Sequence, residues 1–230
     1  VEEVIFIKMM DDKLYMFDGI VCICTTQEED RWQKNCVPQF KNFGCLNRVI
    51  RFYGDLPEDK QNLNGCCFAH YNVLKLCKEK GFKMPLILES DFYFVTKNTD
   101  VSIMRLPMSL DLLSESVDSL QNVDWKLFFL GGKANNFYNK INNSLIKVST
   151  ELAHAYSVNY IYYDEVIETL GEKLTKTPDL VYSRRKYANL YNYSYMTSRI
   201  IVEQRGGVKE DWRSSLARKK FKNKVYKHLK

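Results

Sequence analysis

Gly19-Ile20-Val21-Cys22-Ile23-Cys24-Thr25 is a run of β-branched and small apolar residues that stops at the polar stretch Thr26-Gln27-Glu28-Glu29-Asp30. An apolar run with no polar alternation reads as a strand covered on both faces, the kind found in the middle of a parallel sheet. Downstream, Arg31-Trp32 open a short helical stretch to about Phe43, and Arg48-Val49-Ile50-Arg51-Phe52-Tyr53 is a second strand, ended by Gly54-Asp55 and Pro57. Asn64 is an N-cap for a helix to Lys80, on which Cys67, Tyr71, Leu74 and Lys78 recur at three- and four-residue steps, and Gly81 closes it. Met84-Pro85-Leu86-Ile87-Leu88 then forms a short buried strand that runs into Glu89-Ser90-Asp91. Strand, helix, strand, helix, strand is the order of a parallel Rossmann-like sheet, whose right-handed crossovers collect the carboxyl ends of the strands on one edge. The loops after Thr25 and Leu88 are therefore expected to share a crevice.

Beyond this unit the signals are more scattered. Val4 to Phe17 reads as an N-terminal hairpin, Ser109 to Leu120 as a helix, and Trp125-Lys126-Leu127-Phe128-Phe129-Leu130 as a strand ended by Gly131-Gly132. Lys133 to Asn143 is Asn-rich and reads as a turn, Ser144 to Val148 as a short strand, Tyr160 to Leu170 as a helix, and Asn192 to Glu203 as strand-like. The expected organisation is one α/β domain over 1–208, a mixed sheet flanked by helices, followed by a basic tail over 209–230.

The chain has 230 residues and is 45% hydrophobic, enough for one core without disulfides or structural metal. No run of eighteen apolar residues and no signal-peptide pattern stands in the sequence, so the expected location is cytoplasmic. All seven cysteines lie between Cys22 and Cys77, and neither Cys22/Cys24 nor Cys66-Cys67 has the paired C-x-x-C spacing of a structural zinc site; reduced thiols packed as small hydrophobes are expected. The tail from Lys209 to Lys230 holds nine Lys and Arg against Glu210 and Asp211, a net +7, which leaves about −1 of the chain's +6 for the body. A near-neutral body lacks the basic track of a nucleic-acid groove. The tail itself interleaves Trp212, Leu216, Phe221, Val225 and Leu229 with lysines, as a helix lying peripherally on an anionic membrane would, or as a solvated helix would.

The chemistry concentrates at Glu89-Ser90-Asp91. Carboxylates at the mouth of a core repel unless a cation or hydrogen bonds offset them. Hard oxygen ligands suit Mg²⁺ or Mn²⁺, held by one or two carboxylates while substrate phosphates complete the shell, with Asp91 as direct ligand and Glu89 as a second or water-bridged one. An ordinary solvated strand end is the alternative, because a bare E-x-D is a weak motif.

Gly65-Cys66-Cys67-Phe68-Ala69-His70 followed by Pro85-Leu86-Ile87-Leu88-Glu89-Ser90-Asp91-Phe92 resembles glycosyltransferase family 25, whose members show a G-C-x-x-S-H helix start and then L-E-D-D with an aromatic. Asp30-Arg31-Trp32, Trp125 to Gly131, and Thr150-Glu151-Leu152-Ala153-His154-Ala155-Tyr156 are similar to further elements of that family, in the same order, over about residues 18 to 182. The chain departs from the pattern at Asn62-Leu63-Asn64, where the family has an acidic residue, at Ala69 for Ser, and at Ser90 for the middle Asp.

The resemblance implies a GT-A fold, a nucleotide-diphosphate sugar donor such as a UDP-sugar, Mn²⁺ or Mg²⁺ on the diphosphate, inversion at the anomeric carbon, and a carbohydrate, lipid-linked or protein-glycan acceptor. It places the general base at Asp179 in Thr177-Pro178-Asp179, with Asp164 and Glu165 as weaker candidates. Donor contacts are expected from Thr25, Thr26, Arg31, His70, Glu89 and Ser90, and metal contacts from Asp91 and Glu89. His154 either orients the acceptor, ligates metal or is a hydrogen-bonded core histidine. His70 and Arg31 each have a packing role as alternative, as do Tyr182, Tyr187, Tyr191, Tyr193 and Tyr195, which otherwise offer a sugar-stacking platform. Ser90 also leaves open a non-catalytic nucleotide-sugar or nucleotide-binding module with a degenerate metal site.

Overall fold

The computed structural model describes residues 12–95, 106–183 and 187–204, apart from the side chains of 106–109, 133–138, 179–180, 188 and 191. The N-terminal hairpin expected over residues 4–17 falls mostly, and the basic tail over 209–230 entirely, outside the described residues.

Eight strands form one mixed sheet, in the spatial order Val49–Tyr53 (β2), Gly19–Cys24 (β1), Pro85–Glu89 (β3), Ala155–Val158 (β8), Leu127–Phe129 (β5), Ser194–Thr197 (β9), Leu145–Glu151 (β7) and Lys133–Lys140 (β6). Its first part is the parallel unit read from the sequence: β1 (Gly19–Cys24) pairs in parallel with β2 (Val49–Tyr53) and with β3 (Pro85–Glu89), so that Val21 lies between Ile50 and Ile87. All six residues of β1 are buried, as a central strand requires. The helix Gly65–Glu79 connects β2 to β3, capped by the Asn64 side chain, which accepts from Cys67 N at 2.9 Å. Gly81, with φ of +71°, turns the chain out of that helix.

The period-two alternation of the strands divides the core between two faces. Val21, Ile23 and Ile87 pack with Val73, Leu74 and Cys77 of the Gly65–Glu79 helix and with Val166 and Leu170 of the helix Tyr163–Gly171. Ile20, Cys22, Leu86 and Leu88 pack on the other face with Trp32, Cys36, Phe40 and Phe43, and with Leu112 and Leu113 of the helix Leu106–Leu120. The segment that carries Trp32 is a turn of helix (Glu29–Arg31), a π-helical turn (Trp32–Cys36) and a helix (Val37–Asn42). Layers of helix on both faces of a mostly buried sheet make this an α/β fold.

The second part of the sheet departs from the sequence reading. β4 (Phe92–Phe94) leaves the main sheet and pairs antiparallel with β10 (Val202–Gln204), while β5 (Leu127–Phe129) pairs in parallel with β9 (Ser194–Thr197). The stretch expected to be a turn over Lys133 to Asn143 is instead β6 (Lys133–Lys140), an edge strand paired with β7 (Leu145–Glu151). Its asparagines mark irregular pairing, with register shifts at Ala134/Asn136 and Phe137/Asn139, rather than chain reversal. β8 (Ala155–Val158) went unread although it is fully buried and inserts antiparallel between β3 and β5. The strand-like reading of Asn192 to Glu203 resolves into β9 and β10, which belong to different sheets. Among the described residues, no helix is long and apolar enough to cross a membrane.

The approach of β5 to β10 leaves no room for a side chain at Gly131, where an added Cβ would stand 1.9 Å from the carbonyl oxygen of Val202. At Gly65 the nearest atom would be Leu56 Cδ1 at 3.4 Å, an ordinary contact. Gly131→Ala is therefore expected to destabilise the fold by roughly 2 kcal/mol or more, a cost typical of forced backbone movement in a core. Gly65→Ala is expected to stay close to wild type. Paired thermal melts check this, and equal midpoints for the two variants would contradict the close approach of β5 and β10.

Candidate functional site

The parallel pairing brings the carboxyl ends of β1, β2 and β3 to one edge, where a cleft of about 380 Å³ opens. Two backbone hydrogen bonds continue the ladder past the strand ends: Gly54 N donates to Cys24 O at 2.8 Å, and Ser90 N donates to Ile23 O at 2.9 Å. The loop after β1, the loop after β2 and the Glu89-Ser90-Asp91 turn are thereby locked side by side. Gly54 is close-packed here as well, since a Cβ on it would meet Ala69 Cβ at 2.7 Å.

On the β1 side, Thr25 and Glu28 form a capping box at the start of the 3₁₀ turn Thr26–Glu28, with Thr25 N donating to Glu28 Oε2 at 2.8 Å. Glu28 Oε2 also accepts from Ser90 Oγ at 3.0 Å, while Arg31 Nη1 pairs with Glu28 Oε1 and lies 3.3 Å from Ser90 Oγ. Ser90 is thus tied by its side chain to Glu28 and Arg31, and by its carbonyl to Asn35 Nδ2 at 3.0 Å and Cys36 Sγ at 3.2 Å. Thr26 turns to Asp55, whose carboxylate accepts from both its amide and its hydroxyl. Thr25, Arg31 and Ser90 line the cleft together with Glu28 and Asp55; Thr26 does not.

On the other side, His70 is buried and reaches in from the Gly65–Glu79 helix. Its Nε2 lies 3.0 Å from Glu89 Oε1, and its Nδ1 lies 2.9 Å from the hydroxyl of Tyr156 on β8, which in turn accepts from Tyr182 at 3.3 Å. Cys66, one helical turn before His70, places Sγ 3.6 Å from the same Glu89 oxygen. Gln204 on β10 bridges the two acids, its amide donating to Glu89 Oε2 at 3.2 Å and to Asp91 Oδ2 at 3.0 Å. Asp91 Oδ1 is buried without a hydrogen-bond partner.

These surroundings treat the two carboxyls oppositely. Burial pushes Glu89 up, but the hydrogen bond and charge of the His70 ring, the charge of His154 and the Cys66 thiol together outweigh it and leave Glu89 below the usual carboxylate range. Asp91, raised by burial and then by the negative charge of Glu89, is pushed up to about 7. The site therefore holds one secure anion beside one carboxyl poised between its forms.

The remaining expected residues lie elsewhere. His154 is 1% exposed, does not line the cleft, and points Nε2 at Val202 O (3.1 Å); its Nδ1 is buried without a partner, and burial lowers its pKa. Its carbonyl accepts from Glu89 N at 3.0 Å, so it supports the acidic turn from behind. Asp179 lies on the helix Pro178–Ser183, and its side chain is outside the described residues. Asp164 pairs with Lys78, and Glu165 pairs with Lys126 at 2.7 Å and accepts from Asn189, so both serve contacts on the Tyr163–Gly171 helix. Tyr182, Tyr187 and Tyr195 are buried in the core rather than arrayed as a platform.

Sequence reasoning missed Glu28, Asp55, Cys66, Tyr156 and Gln204. The Thr25-x-x-Glu28 spacing is a capping-box signal that points to Glu28. For Gln204, 113 residues from Asp91, no local pattern exists.

No family model matches this chain, and no curated protein matches it in sequence. Among solved structures, a Bacillus anthracis protein assigned as a glucose-1-phosphate thymidylyltransferase, in complex with sucrose, aligns with 92% of this chain and 79% of its own at 14% identity and a TM-score of 0.49. The mannose-1-phosphate geranyltransferase of Thermus thermophilus aligns with 80% of this chain and 60% of its own at 9% identity and a TM-score of 0.39. At this similarity neither match assigns a site or an activity, and the resemblance to glycosyltransferase family 25 rests on the motifs alone.

Proposed function

We propose that the cleft binds a nucleotide-diphosphate sugar and that the protein is a glycosyltransferase of GT-A type, passing the sugar with inversion to a hydroxyl of a carbohydrate, lipid-linked or protein-glycan acceptor. The observation that carries this reading is the convergence of Arg31, Glu89 and Asp91 on the cleft at the carboxyl edge of the parallel strands, with one buried Asp91 oxygen unpartnered. That edge is where open α/β sheets take nucleotides.

A hard divalent cation fits the acidic turn. Two carboxyls share a single Gln204 amide, burial and then the charge of Glu89 raise Asp91, and Asp91 Oδ1 is free to accept a ligand. Asp91 and Glu89 would hold Mn²⁺ or Mg²⁺, whose chemistry is to neutralise the charge building on a leaving diphosphate. Arg31 offers a second positive charge at the mouth of the cleft, at the expense of its pairing with Glu28. Thr25 stands at the end of β1 for the nucleotide, His70 and Ser90 set the position of the acidic turn from either side, and His154 backs it. Asp179 is the proposed base that takes the proton of the attacking hydroxyl. A UDP-sugar is the favoured donor class.

A second reading, binding without turnover, is favoured by one observation: Ser90, at the family's middle Asp, supplies no charge, and its hydroxyl is already engaged with Glu28 and Arg31.

A thermal-shift panel of nucleotide sugars with and without Mn²⁺ is expected to raise the midpoint for at least one UDP-sugar in the presence of metal, because a ligand that binds only the folded state stabilises it. Asp91→Ala should abolish that shift, and donor hydrolysis or transfer measured on the same panel separates the enzyme from the binding module. If no donor produces a shift under either condition, the nucleotide-sugar reading is wrong.

Asp91 also sets a pH dependence. An ordinary Asp loses its proton near pH 4 when unfolded, and Asp91 in the fold does so near 7. Between these values the folded state holds the extra proton, so Asp91 costs progressively more stability as pH rises from about 4 to 7 and a constant amount above. Asp91→Asn keeps an acceptor for Gln204 and removes the charge. Its melting midpoint should match wild type near pH 4 and exceed it by several degrees at pH 8; a gap that does not change with pH would contradict the environment described for Asp91.

A further inference from the structure

Cys66 and His70 occupy one face of the Gly65–Glu79 helix, four residues apart, and both aim at the end of β3. Cys66 Sγ, His70 Nε2 and a Glu89 oxygen all lie within 4.8 Å of one another, with Glu89 Oε1 at 3.6 Å from the sulfur and 3.0 Å from the nitrogen. Zinc bonds of roughly 2.0–2.1 Å to nitrogen or oxygen and 2.3 Å to sulfur place tetrahedral ligands about 3.3–3.6 Å apart. The sulfur already stands at that spacing from Glu89, the nitrogen needs to move a few tenths of an ångström from the same oxygen, and the sulfur and nitrogen, within 4.8 Å of each other, would close on the cation.

The partners behind these atoms are those of a built metal site. His70 Nδ1 is held by the Tyr156 hydroxyl at 2.9 Å, and Glu89 Oε2 by Gln204 at 3.2 Å. Contacts of this kind orient ligating imidazoles and carboxylates. A tyrosine hydroxyl both donates and accepts, so His70 can carry its proton on Nδ1, toward Tyr156, and present the Nε2 lone pair to a cation. Cys66 is exposed and sheds its proton to solvent on binding.

We propose that Cys66, His70 and Glu89 form a three-ligand site for a borderline-soft divalent cation of the zinc class, with the fourth position open to the cleft. The mixed thiolate, imidazole and carboxylate set selects zinc over Mg²⁺ or Mn²⁺, which take oxygen ligands. Three protein ligands with one position for water or a substrate oxygen is the arrangement of a reactive rather than a structural zinc. The absent C-x-x-C spacing does not bear on it, because the ligands come from one helix face and a strand end. The site goes beyond the nucleotide-sugar reading: it shares Glu89 with the proposed Mn²⁺ or Mg²⁺ site, while Cys66 and His70 belong to it alone and Asp91 lies outside the trio.

The test uses the full chain, stripped with a chelator and titrated with Co²⁺ as the probe, then with Zn²⁺ in competition. A near-ultraviolet thiolate-to-cobalt charge-transfer band with tetrahedral visible absorption is expected, displaced by one equivalent of Zn²⁺. In Cys66→Ser, a surface change that leaves the core intact, the band should vanish and Zn²⁺ affinity fall by more than roughly tenfold, the scale that even an outer partner of a ligand contributes. Asp91→Asn should keep the band. A band that persists in Cys66→Ser, or cobalt bound with no thiolate signature in wild type, overturns the site. Donor shifts with Mn²⁺, read on the same proteins, fail or succeed separately from the cobalt band.

Discussion

The parallel pairing of β1 with strands on both sides is the constraint from which the rest of the molecule follows. A strand covered on both faces and hydrogen-bonded on both edges has no freedom of register, because a one-residue slip would turn Val21 and Ile23 into the layer that holds Ile20 and Cys22. With register set, Tyr53 ends level with Cys24 and Glu89 level with Ile23, and the next backbone groups, Gly54 N and Ser90 N, find their acceptors on β1. The cleft is what remains where three strands stop.

Crowding of charge at that edge is the second consequence. Glu28, Asp55, Glu89 and Asp91 line a cleft with Arg31 as its cation. Most of these acids are held by local donors: Glu28 by Thr25 N and Ser90, Asp55 by Thr26, and Glu89 by His70. Asp91 is the exception, with one oxygen on a shared amide and one unpartnered. A protein that buries a carboxyl in this way bears a cost in stability, and such costs concentrate where a ligand relieves them.

Behind the acidic turn, the Tyr182–Tyr156–His70–Glu89 chain links the cleft to the core. β8 carries Tyr156 and lies directly against β3, so the position of His70 depends on a strand that enters the sheet from the opposite direction. The hydroxyls and the imidazole can reverse their donor and acceptor roles together, which lets the ring serve either a hydrogen bond or a cation. Rigidity of the sheet and adaptability of the protons are combined in one network.

The sequence alone was sufficient for the parallel unit. The unbroken apolar run of β1, the Asn64 cap and the acidic stop after Leu88 are local signals whose causes are local: burial on both faces, an orphan amide, a strand leaving the core. They also placed Thr25, Arg31, His70, Glu89, Ser90 and Asp91 around one cleft, since right-handed crossovers leave little choice of edge. The second half was legible only in part: β5, β7 and β9 fall in runs read as strands, but their pairing and two further strands did not show. β8 is four residues following Leu152, which has φ of +78°, and β6 is an Asn-rich edge strand with shifted register; neither carries a run long enough to announce itself. Only the tertiary structure decided that Gln204 would bridge Glu89 and Asp91, that Tyr156 would stand behind His70, and that Cys66 would share an oxygen with it. Those contacts join residues 19 to 115 positions apart, and a partner brought in by the closure of a sheet leaves no trace in the residues beside it.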